Sequence, residues 1–215
     1  MTDDFRSKLE EVLQAHEPHR MTLEDARDAA VLIPIVARPT PTLLFTIRTD
    51  TLSSHKGQIA FPGGSIDPGD GSAAAAAVRE THEEIGIESD EIEIVGELDA
   101  FPTFVSGYVV TPVVGWLREE PAISPNPAEV AEVLHVPVAD LVEDIRSEAG
   151  FTHAERTYPT EAWIWNDHVI WGVTARILRS FLGRLAQAGL APPPGKTSSW
   201  TAWPLEAQPV RGQAS

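Results

Sequence analysis

Gly63-Gly64-Ser65-Ile66-Asp67-Pro68-Gly69-Asp70 leads into an alanine-rich run that closes with Arg79-Glu80-Thr81-His82-Glu83-Glu84-Ile85-Gly86-Ile87. A double-glycine turn thus feeds a short helix whose last turns carry three carboxylates. At about 100° per residue, Glu80 and Glu84 lie nearly one above the other, with Glu83 roughly 60° away. Ala74, Ala77, Val78 and Ile85 fall on a neighbouring face and are expected to pack inward. Like charges spaced i,i+4 weaken a helix. A hard divalent cation on oxygen ligands is the natural group to offset that repulsion. Glu80 and Glu84 are the first choice as ligands, and Glu83 is either a third ligand or the group that polarises water. Arg79 stands four residues before Glu83, placed to hold its carboxylate. Gly63 and Gly64 allow close backbone approach, with a carbonyl as a further oxygen ligand. The bland alternatives are a solvated charged helix face and a plain turn.

This spacing resembles the Nudix box, G-x5-E-x7-R-E-U-x-E-E-x-G-U, where U is bulky and apolar. Arg79, Glu80, Glu83, Glu84, Gly86 and Ile87 all fall in place, while Thr81 stands where an apolar residue is usual. Five residues lead from Gly64 to Asp70, where a glutamate is usual, and eight rather than seven separate Asp70 from Arg79. Upstream, Leu44-Phe45-Thr46-Ile47-Arg48, Gly57 and Phe61-Pro62-Gly63-Gly64 resemble the signature of the coenzyme A pyrophosphatase branch, L-L-T-x-R-[SA]-x3-R-x3-G-x3-F-P-G-G. Phe45 and Thr49 are soft departures from it, and Ser53 stands where an arginine is expected. The extra residue in the box is usual in that branch. Asn126-Pro127-Ala128-Glu129-Val130 and Ile170 to Leu178 also resemble branch segments, so the likeness spans roughly residues 28–185.

The resemblance implies an α/β fold, an α/β/α sandwich around a mixed sheet. It implies Mg²⁺ or Mn²⁺ as cofactor, and hydrolysis of coenzyme A or its thioesters to 3′,5′-ADP and a 4′-phosphopantetheine fragment. It marks Arg48 as a diphosphate contact, with Lys56 a weaker candidate. Glu129 resembles the distal acid that many Nudix enzymes supply from outside the box; Glu132 competes with it, and either fits a helix-start carboxylate. ADP-ribose or a nucleoside triphosphate is the rival substrate. A catalytically silent ligand-binding Nudix module is the rival class.

Composition bounds these readings. The chain has 215 residues, enough for one well-buried domain with extensions. No apolar run approaches the roughly 20 residues of a membrane span, and the N-terminus lacks the pattern of a signal peptide. The absence of cysteine excludes disulfides, thiol nucleophiles and cysteine-ligated zinc, and fits a cytoplasmic protein. A net charge of −16 argues against a nucleic-acid surface. A polyanionic small-molecule nucleotide would need metal ions and a few well-placed basic groups. The seven histidines show no zinc spacing. Gly195-Lys196-Thr197 lacks the leading glycine and strand of a P-loop. One of the six tryptophans could stack on an adenine.

Along the chain we expect a helix over Phe5–Gln14 and strands over Ala29–Ala37, Leu43–Arg48, Glu91–Asp99, Tyr108–Leu117 and Leu134–Val138. A helical turn over Val138–Glu143, a hairpin across Asn166-Asp167 and a helix over Thr174–Ala188 follow. Residues 1–27 read as an N-terminal helical extension, 28–190 as the hydrolase domain, and 191–215 as a Pro/Gly/Ser/Ala-rich tail.

Overall fold

The computed structural model describes residues 2–49, 57–103, 106–141, 145–153, 156–192 and 198–199. Helix α1 (Thr2–Gln14) is followed by strands β1 (Arg27–Val36), β2 (Thr42–Arg48), β3 (Ile59–Ala60) and β4 (Gly63–Ser65), then helix α2 (Ala73–Ile85). Strands β5 (Glu93–Glu97), β6 (Phe101–Pro102), β7 (Tyr108–Leu117) and β8 (Val130–Pro137) come next. Strands β9 (Ile145–His153), β10 (Arg156–Trp165) and β11 (His168–Trp171), helix α3 (Gly172–Gln187) and the short β12 (Ser198–Ser199) complete the described chain.

The continuous apolar run around Ala29–Val36 becomes the central strand β1, because a strand covered on both faces needs no polar side. It pairs in parallel with β7 from Arg27↔Tyr108 to Val36↔Leu117. Its other edge is shared: β4 pairs with Ala29–Val31 and β2 with Ile35 and Val36. Pro34, which lacks an N–H, falls between these two partners, where no ladder bond is lost. Ala30, Leu32 and Val36 face α2, packing with Ala76, Ala77 and Ile85. Ala29, Ile33 and Ile35 face the opposite layer, where Phe5, Leu9 and Leu13 of α1 meet Ile177, Leu178, Phe181 and Leu185 of α3. The result is the expected α/β/α sandwich around a mixed sheet.

A four-stranded second sheet, in the order β11-β10-β9-β12, was not foreseen beyond its β10–β11 hairpin. That hairpin turns at Asn166-Asp167 with Asn166 at φ 52°, a left-handed conformation asparagine tolerates. Strand β8 begins at Val130, four residues before its expected start, because its early residues pair with Arg48 and Ile47 at the end of β2. Glu129 therefore opens a strand and is not a helix-start carboxylate. The late helix starts at Gly172, two residues early. In α2 the buried line runs through Ala76, Ala77, Thr81, Glu84 and Ile85, with Ala74 and Val78 at its margin. No helix among the described residues is long and apolar enough to cross a membrane.

Candidate active site

Helix α2 is bounded by local chemistry. Ser72 accepts a hydrogen bond from the Ala75 N–H at 3.1 Å as N-cap, and Gly86 closes the helix at φ 75°. The proline-rich loop then satisfies the helix end: the N–H groups of Ser124 and Asn126 donate to the carbonyls of Ile85 and Glu84, each at 2.8 Å. Thr81 is fully buried at its apolar position because its hydroxyl donates back to the Ala77 carbonyl at 2.7 Å.

The double glycine fits the backbone between β1 and α2. Gly63 adopts φ 153°, and a Cβ there would stand 2.3 Å from the Ala30 carbonyl oxygen. A Cβ on Gly64 would stand 2.5 Å from the Glu80 carboxylate. The loop thus lets Glu80 and Glu84 lie against backbone: the Gly63 N–H donates to Glu84 Oε2 at 3.3 Å.

Arg79 is the organiser of the loop. Its Nε and Nη2 donate to the two oxygens of Asp70 at 2.8 and 3.0 Å, a bidentate pair. Nη1 donates to Glu80 at 2.9 Å and to Glu83 at 3.1 Å, and Nη2 also reaches the Ser65 carbonyl at 3.1 Å. The Arg79 guanidinium and the Asp67 N–H hold the Asp70 carboxyl below its usual range. Asp70, despite being shorter than the expected acid, is therefore a clamp on Arg79.

Glu84 is the unusual carboxylate. It is 3% exposed, and burial pushes its pKa up to about 7. Arg48, at 3.8 Å, and the Gly63 N–H oppose that rise, whereas the charges of Glu80 and Glu129 add to it. Glu80 is raised as well, first by burial and then by Glu83 and Glu129, against the pull of Arg79. Glu129 reaches this neighbourhood because Asn126 donates to its side chain at 3.3 Å and the Thr49 N–H to its carbonyl at 3.0 Å. Among the described residues the buried Arg48 Nε has no hydrogen-bond partner.

Glu80, Glu84, Glu129, Arg48, Gly63 and Gly64 thus converge. Glu83 stands at the exposed margin, held by Arg79. Lys56 and Ser53 lie outside the described residues, and so does Lys196. Among the described residues no three His, Asp or Glu side chains are gathered as a ready-made cation cage. Arg79 stands between Glu80 and Glu83, and Arg48 faces Glu84. The donor set nevertheless fits a hard divalent ion: carboxylates that raise one another's pKa, one of them buried with a single backbone donor. Sequence reasoning missed the multiple grip of Arg79; the acids at Asp67 and Asp70 were the available signal.

The Nudix domain family profile matches residues 26–159 of the chain. A protein of Photorhabdus laumondii subsp. laumondii described as "Uncharacterized Nudix hydrolase NudL" is 40% identical over 182 residues, covering 81% of this chain and 92% of the relative. A protein of Escherichia coli (strain K12) with the same description is 38% identical over 188 residues, covering 82% and 91%. In fold, the chain is similar to a MutT/nudix family protein from Enterococcus faecalis, with a TM-score of 0.53 at 14% identity, over 86% of this chain and 73% of that one. A mixed sheet between helices, carrying a clamped arginine and a carboxylate-bearing helix beside a double glycine, defines a Nudix hydrolase fold. The chain belongs to the Nudix family, whose hydrolases cleave diphosphates with divalent ions such as Mg²⁺ or Mn²⁺.

Proposed function

We propose that the domain over residues 28–190 hydrolyses the diphosphate of coenzyme A or its thioesters, yielding 3′,5′-ADP and 4′-phosphopantetheine or its acylated form. The observation that carries this reading is that the two halves of the branch signature meet on one carboxylate. Arg48 from Leu44–Arg48 and the Gly63 N–H from Phe61-Pro62-Gly63-Gly64 both address Glu84. A generic box has no need of the first half.

In this reading Glu80 and Glu84 hold a divalent ion, with Glu83 or Glu129 beside them and a glycine carbonyl as a further oxygen donor. When bound, the ion neutralises the diphosphate, acidifies a water and stabilises the leaving phosphate oxygen. The residues of the chain do the rest. Arg48 turns from Glu84 to the substrate and donates a charge-assisted hydrogen bond to a diphosphate oxygen. Lys56, which lies outside the described residues, is the weaker candidate for a second phosphate contact. Glu83 or Glu129 accepts the proton of the attacking water. Arg79, locked by Asp70, keeps Glu80 and Glu83 at fixed positions.

The test is a panel of coenzyme A, an acyl-coenzyme A, ADP-ribose, NADH and dNTPs with Mg²⁺ and Mn²⁺, products resolved by chromatography. Coenzyme A or its thioester should have the highest kcat/KM. A tenfold or greater preference for ADP-ribose or a dNTP would replace the branch assignment and keep the family. Arg48→Ala should lower kcat/KM about 10- to 100-fold, the worth of one hydrogen bond to a charged group. Unchanged kinetics would leave phosphate recognition to the ions and Lys56.

A further inference from the structure

Two acids outside the box, Glu129 and Glu132, compete in sequence for the place beside its carboxylates. The β2–β8 ladder separates them. Ile47 pairs with Glu132 and Arg48 with Val130, so Ala131 is an extra residue, a bulge. Beyond it, Val133 packs on the α2 side of the sheet, and Leu134 and Val136 on the other. Side chains alternate along a strand, so Glu132 leaves the sheet on the Leu134 side, away from α2, and it is exposed. The bulge returns Val130 to the α2 side, into the cluster that holds Ile85. Glu129 stands one residue earlier, half-buried in the turn, and its charge acts on both Glu80 and Glu84.

That turn is built on Asn126, each of whose polar atoms is employed. Its N–H donates to the Glu84 carbonyl at 2.8 Å, which seats the turn on the end of the box helix. Its carbonyl accepts from the N–H groups of Glu129 at 3.0 Å and Val130 at 2.8 Å. The side-chain oxygen accepts from the Ala128 N–H at 3.1 Å. A backbone donor there requires the oxygen, so the amide nitrogen falls to Glu129 and donates to its Oε1 at 3.3 Å. One side chain thus closes the turn with its oxygen and holds the carboxylate with its nitrogen.

The charge of the donor distinguishes Glu129 from Glu83 as well. Glu83 rests on the Arg79 guanidinium, a cation shared with Asp70 and Glu80. Asn126 is neutral. It orients Glu129 and leaves the negative charge uncancelled, as a general base requires.

We propose that Asn126 is a positioning residue of the hydrolase, its amide fixing Glu129, rather than Glu83 or Glu132, as the acceptor of the attacking water's proton. The water oxygen bonds to phosphorus, its proton passes to Glu129, and the bond to the leaving phosphate oxygen breaks with its electron pair on that oxygen. The proposal rests on the reading of diphosphate hydrolysis at Glu80 and Glu84, and is indifferent to which diphosphate is cleaved.

The test is steady-state kinetics of single and paired variants on the best diphosphate of the panel with Mg²⁺, beside Mn²⁺ binding without substrate by electron paramagnetic resonance. Asn126→Ser keeps an oxygen for the Ala128 N–H and loses the donor to Glu129. It should lower kcat about 10- to 100-fold and leave KM within about threefold. Glu129→Gln should lower kcat at least about a hundredfold, and Glu132→Gln should stay within about threefold of wild type. The pair Asn126→Ser with Glu129→Gln should be no slower than Glu129→Gln alone, since nothing is left to position. Asn126→Asp keeps the turn oxygen and sets a like charge against Glu129. It would rescue a residue needed only to close the turn, and here it should be at least as slow as Asn126→Ser. Mn²⁺ should bind Asn126→Ser and wild type alike; a loss of about tenfold or more would mean that Asn126 acts through the ion's ligand Glu84, and overturns the proposal. Additive losses in the pair, full kcat in Asn126→Ser or Asn126→Asp, or full kcat in Glu129→Gln also overturn it; the last would pass the proton to Glu83. A slow Glu129→Gln beside a full-speed Asn126→Asp sinks this proposal alone, whereas no turnover of any diphosphate by the wild type sinks the hydrolase reading with it.

Discussion

Glu84→Gln is expected to lower kcat about a thousandfold while making the metal-free protein more stable near pH 8. The two effects have one cause. In the proposed reading Glu84 is a ligand of the divalent cation, the partner that best suits a buried carboxylate. Without the cation its partners among the described residues are the Gly63 N–H at 3.3 Å and the Arg48 guanidinium at 3.8 Å, and its pKa rises from 4.5 to about 7. The folded chain therefore holds this proton more tightly than the unfolded chain does. Its contribution to stability is complete below about pH 4.5 and is lost as pH rises through about 7. That shift corresponds to about 3 kcal/mol. Glutamine keeps the shape and an acceptor for the Gly63 N–H but carries no charge. The Tm advantage of the variant in chelator should grow from about pH 5 to pH 8, and added Mg²⁺ should raise the Tm of the wild type more than that of the variant. A Tm difference independent of pH would remove the buried-charge explanation.

The two adjacent glycines should respond to the same substitution in opposite ways. At Gly63 an added Cβ meets the Ala30 carbonyl oxygen at 2.3 Å and the Val31 Cα at 2.6 Å, all backbone of the central strand, at φ 153°. Nothing there can move without shifting β1. Gly63→Ala should cost about 3–5 kcal/mol and lower Tm by about 10 °C. At Gly64 the obstacle is the far end of the Glu80 side chain, at 2.5 Å. That carboxylate can turn away, but only by leaving Arg79 and the position it holds beside the loop. Gly64→Ala should keep Tm within a few degrees and lower kcat/KM at least tenfold. Thermal unfolding paired with steady-state kinetics separates the two cases. A Gly64→Ala enzyme of full activity would remove Glu80 from the cation site.

The box was legible because its chemistry is local. Helical period, the double glycine and three acids within five residues are readable without knowing what they pack against. The central strand was legible for a similar reason: an apolar run with no alternation has to be covered on both faces. Other features depend on partners remote in sequence. Glu80 and Glu84 look equivalent on a helical wheel, yet Glu84 is the buried one, because Gly63 and Arg48 close over it from two other strands. Thr81 looks like a defect until the Ala77 carbonyl is seen to accept from it. Asp70 looks too short until Arg79 is found bidentate upon it. Glu129 is drawn to the site by a ladder between β8 and the end of β2, whose register no local pattern encodes. The second sheet was missed for a different reason, since the segment before Trp163 is polar and interrupted by Pro159, with no clean two-residue period.

The central claim is that this carboxylate helix holds a divalent ion for diphosphate hydrolysis. The direct measurement is turnover of coenzyme A by wild-type protein stripped with EDTA, then supplied with Mg²⁺ or Mn²⁺, with the products resolved by chromatography. No turnover in chelator, and 3′,5′-ADP with 4′-phosphopantetheine appearing once the ion is restored, is the result the account predicts. Undiminished hydrolysis in EDTA, or no cleavage of any diphosphate in the panel with either ion, would contradict it.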